Sequence, residues 1–143
     1  MRVERAESGE ACAKAKDVLV HLRPQLASLS PAEFEARVRR MGAEGFRLVL
    51  GRDKAGAAVA VAGYRILEMF AHGRVLYVDD LVVDPAARSR GCGRAMLEWL
   101  ADVAREEGCA SLQLDSGTQR VEAHRFYLRE RFAIRSFRFV RPL

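Results

Sequence analysis

The chain has 143 residues, half of them apolar and 30% charged, with a formal net charge of +5. That is the composition of an ordinary soluble domain with enough chain for one proper core, and no apolar run approaches the roughly 20 residues of a membrane span. No basic, apolar, small-residue leader pattern opens the chain, so a single domain over residues 1–143, in the cytoplasm and with no membrane partner, is expected.

In chain order, Met1 to Ala6 reads as a strand. Glu7 to about Leu22 has helical spacing, with Ala11, Ala15, Val18, Leu19 and Leu22 on one face, and Pro24 ends it. Ser30-Pro31-Ala32-Glu33 is a capping box with proline at the first helical position, and it opens a second helix that Gly42 and Gly45 close. Phe46 to Leu50 is a strand, and Asp53-Lys54-Ala55-Gly56 a hairpin turn. Ala57 to Phe70 is a longer strand in which Gly63 suggests a bulge or a close approach. Arg74 to Val83 is the fourth strand. A helix runs from Gly91 to Glu107 and is closed by Gly108. Ala110 to Leu114 is the fifth strand, joined to the fourth by a crossover long enough to make the pair parallel. A last helix covers about Arg120 to Arg131, and Phe132 to Arg141 alternates as a final strand.

The most informative stretch lies between the fourth strand and its helix. Pro85 stops the strand, because it has no N–H to donate. Gly91 and Gly93 permit close backbone approaches, and Arg88, Arg90 and Arg94 surround a helix start. The first turn of a helix has unpaired N–H groups and a positive dipole end, so this loop is built for an anion, most naturally a phosphate. The Gly-x-x-x-x-Gly-Lys-Ser/Thr nucleotide loop is absent, and Met96 stands where a dinucleotide loop has its third glycine. The cysteines, Cys12, Cys92 and Cys109, are odd in number and lack metal-ligand spacing, so reduced thiols and no metal are expected. Cys92 reads either as a nucleophile or as a small loop residue, and no histidine is near it in sequence. A basic chain can be a nucleic-acid binder. No helix-turn-helix or aromatic-basic motif is present, however, and an anionic cofactor explains the loop's charge, so no nucleic-acid partner is expected.

Arg88-x-x-Gly91-x-Gly93 after a Leu-Val-Val-x-Pro strand end resembles the coenzyme A loop of the GCN5-related N-acetyltransferase (GNAT) family. A second segment supports this. The family pattern Asn-x-x-Ala-x-x-Phe-Tyr-x-x-x-Gly-Phe is met here by Ala123, Phe126, Tyr127 and Phe132, with Arg120 in place of the asparagine and Arg131 in place of the glycine. The resemblance implies a mixed α/β fold: a mostly antiparallel sheet of six to seven strands, with about four helices and a parallel pair, the fourth and fifth strands, that splay apart. It implies acetyl-CoA as cofactor and direct transfer of an acetyl group to a primary amine in a ternary complex. By carry-over, Leu81, Val82 and Val83 meet the pantetheine arm through main chain. Arg88, Ser89, Arg90, Gly91, Cys92, Gly93, Arg94 and Ala95 cradle the pyrophosphate, with Arg120 and Phe126 also at the cofactor. Tyr127 matches the tyrosine that protonates the departing thiolate. Asp80 or Asp79 would accept the amine's proton. Successive strand residues face opposite sides, so only one of the two should face the site unless a bulge intervenes. The acceptor is a small-molecule or peptide amine of unread identity. A homodimer accords with the family, and a non-catalytic acyl-CoA-binding module is the alternative function.

Overall fold

The computed structural model describes residues 1–143. The chain divides into two compact units, Met1–Gln113 and Leu114–Leu143.

The first unit is built on a sheet with the strand order β1-β2-β3-β4-β5: β1 Arg2–Arg5, β2 Arg47–Arg52, β3 Ala58–Met69, β4 Gly73–Val83 and β5 Ser111–Leu114. The first three pairings are antiparallel, and β4 and β5 are parallel. The tight turn through Gly73, at φ 65°, sets the β3–β4 register, which runs from Ala60 opposite Val83 to Met69 opposite Gly73. α1 (Gly9–Leu19) and α2 (Pro31–Ala43) start as capped helices. The Ser8 side chain accepts from Ala11 N–H, and the Ser30–Glu33 box is complete in both directions. A 3₁₀ turn, Pro24–Ser28, lies between them. Their apolar faces, with Ala15, Leu19 and Phe34 at the centre, pack with Leu50, Val61 and Val82 into one core cluster. The opposite face of the sheet is covered by α3 (Cys92–Glu106), whose Met96 and Leu100 are fully buried. Truncating Leu100 to alanine would cost about 2–5 kcal/mol by the usual cavity penalty.

Strand pairs of alternating faces are interrupted once in β3–β4. Gly63 pairs with Asp80 and Tyr64 with Val78, so Asp79 is the extra residue of a bulge. Gly63 has no room for a side chain, since a Cβ there would meet the Phe46 ring at 2.5 Å. Both readings of this glycine, bulge and close packing, therefore apply at one position.

The second unit holds α4 (Val121–Arg129) and the segment after it. Here the sheet differs from expectation. It has five strands rather than six to seven, and residues 132–143 carry no regular structure. The alternation of Phe132 to Arg141 is a strand signal only where a sheet edge receives it. In this chain Ile134, Phe137, Phe139 and Val140 stay in solvent.

Candidate active site

The loop after β4 begins with a 3₁₀ turn, Pro85–Ala87, capped by the Asp84 side chain, which accepts from Ala86 N–H. Two left-handed positions follow, Ser89 at φ 61° and Gly91 at φ 76°. A serine in that region stores of order 1 kcal/mol of backbone strain, which is found where a loop must hold a set shape. Gly91 is the N-cap of α3 and offers no side-chain cap. The first helical bond runs from Ala95 N–H to the Gly91 carbonyl. The amides of Cys92, Gly93 and Arg94 are thus left without intrahelical acceptors, at the positive end of a helix of 15 residues. Arg88 and Arg90 are exposed at its mouth, and Arg94 pairs with Glu98 one turn on, at 2.9 Å. Free main-chain donors with cationic side chains around them are the groups that an anion such as a pyrophosphate would need. Cys92, half-buried there, has no histidine partner.

The strand leading into the loop is open on one side. β5 starts beside the lower end of β4, where Ala110 N–H donates to the Arg74 carbonyl at 2.7 Å, and it is only four residues long. At about 3.3 Å per residue it ends near the level of Val78. Beyond that level Leu81, Val82 and Val83 pair with Ala62, Val61 and Ala60 of β3. The alternate backbone groups, turned away from β3, have no strand to receive them.

The bulge brings both carboxylates to the face covered by α1 and α2. Asp80 stands opposite Gly63, on the same face as Val82, and accepts from Arg23 Nε at 2.7 Å. Asp79 accepts from Arg65 Nε at 2.9 Å. Arg65 also lies over the Phe46 ring and 3.9 Å from Glu44, just after α2. The carboxylates keep only 15% and 20% of their side-chain surface exposed. His21 Nε2 lies 3.9 Å from Asp84, a partner the sequence did not reveal. No sequence motif marks Arg23, Arg65 or His21 as site residues. Arg23 meets a residue 57 positions away, and nothing in its local pattern signals that. A cleft of about 210 Å³ lined by Arg47, Tyr64, Trp99 and Glu107 lies on the other face, under α3, away from both aspartates.

In the second unit, Tyr127 sits on α4 between the rings of Phe126 (5.4 Å) and Phe132 (5.7 Å). Burial pushes its phenol above the usual tyrosine range, and the nearby Arg120 charge opposes this. Tyr127 therefore holds its proton throughout the neutral range. Arg120 is the N-cap of α4 and makes no side-chain cap bond, and the Arg129 guanidinium lies over the Phe126 ring. His124 Nε2 is 2.8 Å from the Gly117 carbonyl, a structural contact. Among all residues no group of three or more metal-ligating side chains converges, and no helix is long and apolar enough to cross a membrane.

The model of the acetyltransferase (GNAT) family matches residues 16–132. The chain belongs to that family. It is 38% identical over 66 residues to an aminoalkylphosphonate N-acetyltransferase of Salmonella typhimurium, covering 46% of this chain and 43% of that one. It is 32% identical over 104 residues to a glucosamine 6-phosphate N-acetyltransferase of Trypanosoma brucei, covering 70% and 69%. The GNAT chain spans about half the length of several curated relatives it matches. Its fold is that of a Trypanosoma brucei acetyltransferase crystal structure, with a TM-score of 0.82 over 99% of both chains at 23% identity.

Proposed function

We propose that this protein moves the acetyl group of acetyl-CoA to the primary amine of a small acceptor, by direct attack and without a covalent enzyme intermediate. The observation that carries the reading is the uncapped start of α3 at Gly91, one short loop beyond a stretch of β4 whose outer main chain has no strand partner. When bound, acetyl-CoA supplies a thioester carbonyl as the electrophile. The amides of Cys92, Gly93 and Arg94, with Arg88, Ser89 and Arg90, hold the pyrophosphate. Leu81, Val82 and Val83 hold the pantetheine arm through main chain, and one of their N–H groups polarises the acetyl carbonyl, as an oxyanion donor must. Asp80, or Asp79 from the bulge, takes the amine's proton. Tyr127, held protonated by its burial, supplies the proton that the leaving sulfur needs. Arg120 and Phe126 complete the cofactor contacts on the family pattern.

The named relatives act on an aminoalkylphosphonate and on glucosamine 6-phosphate, amines that also carry an anion. Arg23 and Arg65 beside the two aspartates suit such an acceptor. An acceptor phosphonate competes with Asp80 for Arg23, which frees the carboxylate to receive a proton. The test is release of free thiol from acetyl-CoA with an amine panel that includes aminoethylphosphonate and neutral amines. Turnover with at least one amine is expected. Tight cofactor binding by calorimetry with no thiol release from any amine would leave the non-catalytic acyl-CoA-binding alternative.

A further inference from the structure

At the end of α3 opposite the anion loop, one carboxylate ties the helix to the sheet. Glu107, the C-cap of α3, accepts from Arg47 of β2 through Oε1 at 3.0 Å and from Arg74 of β4 through Oε2 at 3.0 Å. β2 and β4 flank β3 and lie about 10 Å apart, so this side chain bridges two strands that do not pair with each other. Both arginines are on the face of Tyr64. Arg47 pairs with Tyr64, and Arg74 is four residues before Val78, which also pairs with Tyr64. The Glu107 main chain is held as well. Arg74 Nε donates at 2.7 Å to its carbonyl, one of the last in α3 without a partner inside the helix. A guanidinium is also the charge that a helix C-terminus favours. Three residues on, Ala110 N–H donates to the Arg74 carbonyl at 2.7 Å, and β5 begins at Ser111. Arg74 therefore grips the turn between α3 and β5 with side chain and main chain together. Hydrogen bonds from Arg47 and Arg74 hold the Glu107 carboxyl below the usual carboxylate range, so it is charged at neutral pH.

We propose that Glu107, acting through Arg74, is a positioning residue that fixes where β5 parts from β4 and so shapes the slot for the pantetheine arm. The inference rests on the acetyl-CoA reading above. The outer main chain of Leu81, Val82 and Val83 is open only because β5 starts low on β4 and ends early. A slip of the turn by one residue along β4 would move the opening by about 3.3 Å. The anion loop is seated separately. Met96 and Leu100 bury the first half of α3, and a helix of 15 residues puts its start about 22 Å from Glu107. The two parts of the cofactor therefore depend on Glu107 unequally: the arm strongly, the diphosphate little.

The experiment is calorimetry of coenzyme A, and of ADP, which carries a diphosphate and no pantetheine arm, on the unaltered chain and on Glu107→Gln. The amide keeps the size of the side chain and turns a donor toward one of the two guanidinium groups. Coenzyme A should bind the variant about 10-fold more weakly, with ADP affinity unchanged within about 2-fold. Arg74→Gln should weaken coenzyme A by a similar factor, and the double variant no further, because both changes break the same link. A residue that only stabilised the fold would lower the number of sites titrated and leave the affinity per site alone. That pattern overturns the proposal. So does unchanged coenzyme A affinity in folded Glu107→Gln, or an equal loss for ADP. If Glu107→Gln fails to fold, Arg74→Lys keeps the charge without the fixed fork of donors, and the same comparison applies to it. No binding of coenzyme A to the unaltered chain is a separate result, which sinks the acetyl-CoA reading and this inference with it.

Discussion

α3 and α4 each carry one half of the GNAT signature, and their ends are built from opposite residue types. α3 opens on Gly91 and closes through Gly108, at φ 69°. α4 opens on Arg120 and closes through Arg131, at φ 68°. The closing hydrogen bonds are nevertheless the same pair. At α3, Gly108 N–H donates to the Arg105 carbonyl and Cys109 N–H to Ala104. At α4, Arg131 N–H donates to Leu128 and Phe132 N–H to Tyr127. α2 ends in the same way at Gly45. Arg131 is thus a side-chain-bearing residue in a turn that glycine normally fills. The Phe132 ring against Tyr127 supplies the apolar contact that accompanies such a turn, and it helps the arginine adopt a left-handed angle costing about 1–2 kcal/mol. The comparison teaches that a departure from the family pattern changed the energy of the turn and left its geometry alone. It also separates the two kinds of contribution in the proposed function, where α3 offers the cofactor its main chain and α4 a side chain.

The sharpest way to break that division is Tyr127→Phe. Loss of the proton donor should lower kcat by roughly 100-fold and leave calorimetric coenzyme A affinity unchanged. Full retained turnover would remove the acid role. With the phenol pushed up by burial, kcat of the unaltered protein should show no alkaline fall until above about pH 10. The same shift means that the folded state keeps its proton while the unfolded chain loses it, so stability declines as pH rises past the unfolded value. Next is Gly91→Glu, which puts a carboxylate and a strained backbone into the cradle. Coenzyme A should bind about 30-fold more weakly, a change of about 2 kcal/mol, with kcat for bound substrate less affected.

The two helix ends give a smaller, paired effect of opposite sign. Nothing lies within 4 Å of a Cβ built on Gly108, so Gly108→Ala isolates the backbone cost and should destabilise by about 1 kcal/mol. Arg131→Gly should stabilise by roughly 0.5–1 kcal/mol, because the relieved strain exceeds the added freedom of the unfolded chain. Thermal melts should move a few degrees in opposite directions, about 2–4 °C per kcal/mol, and equal shifts of one sign would refute the comparison. The smallest effect is expected at the other end of α4. Arg120→Asn supplies the missing cap acceptor and should add about 0.5–1 kcal/mol, read by denaturant midpoint.

The sequence by itself determined what rests on local chemistry. Ser30 and Glu33 announced a capping box, Pro85 a strand end, Gly91 a helix start and Gly108 a helix stop, because each acts through backbone groups a few residues away. The β–loop–α order and the parallel β4–β5 pair follow from the same short-range signals and a crossover length. Tertiary structure alone decided what depends on partners far along the chain. The bulge at Asp79 lies beside Gly63, where Phe46 leaves no room for a side chain, and it brings two neighbouring carboxylates to one face. The arginines that meet them, Arg23 and Arg65, come from elements with no pattern of their own there. The alternation after Phe132 specified a strand, yet a strand needs an edge to pair with, and no run of side chains states which edge that will be.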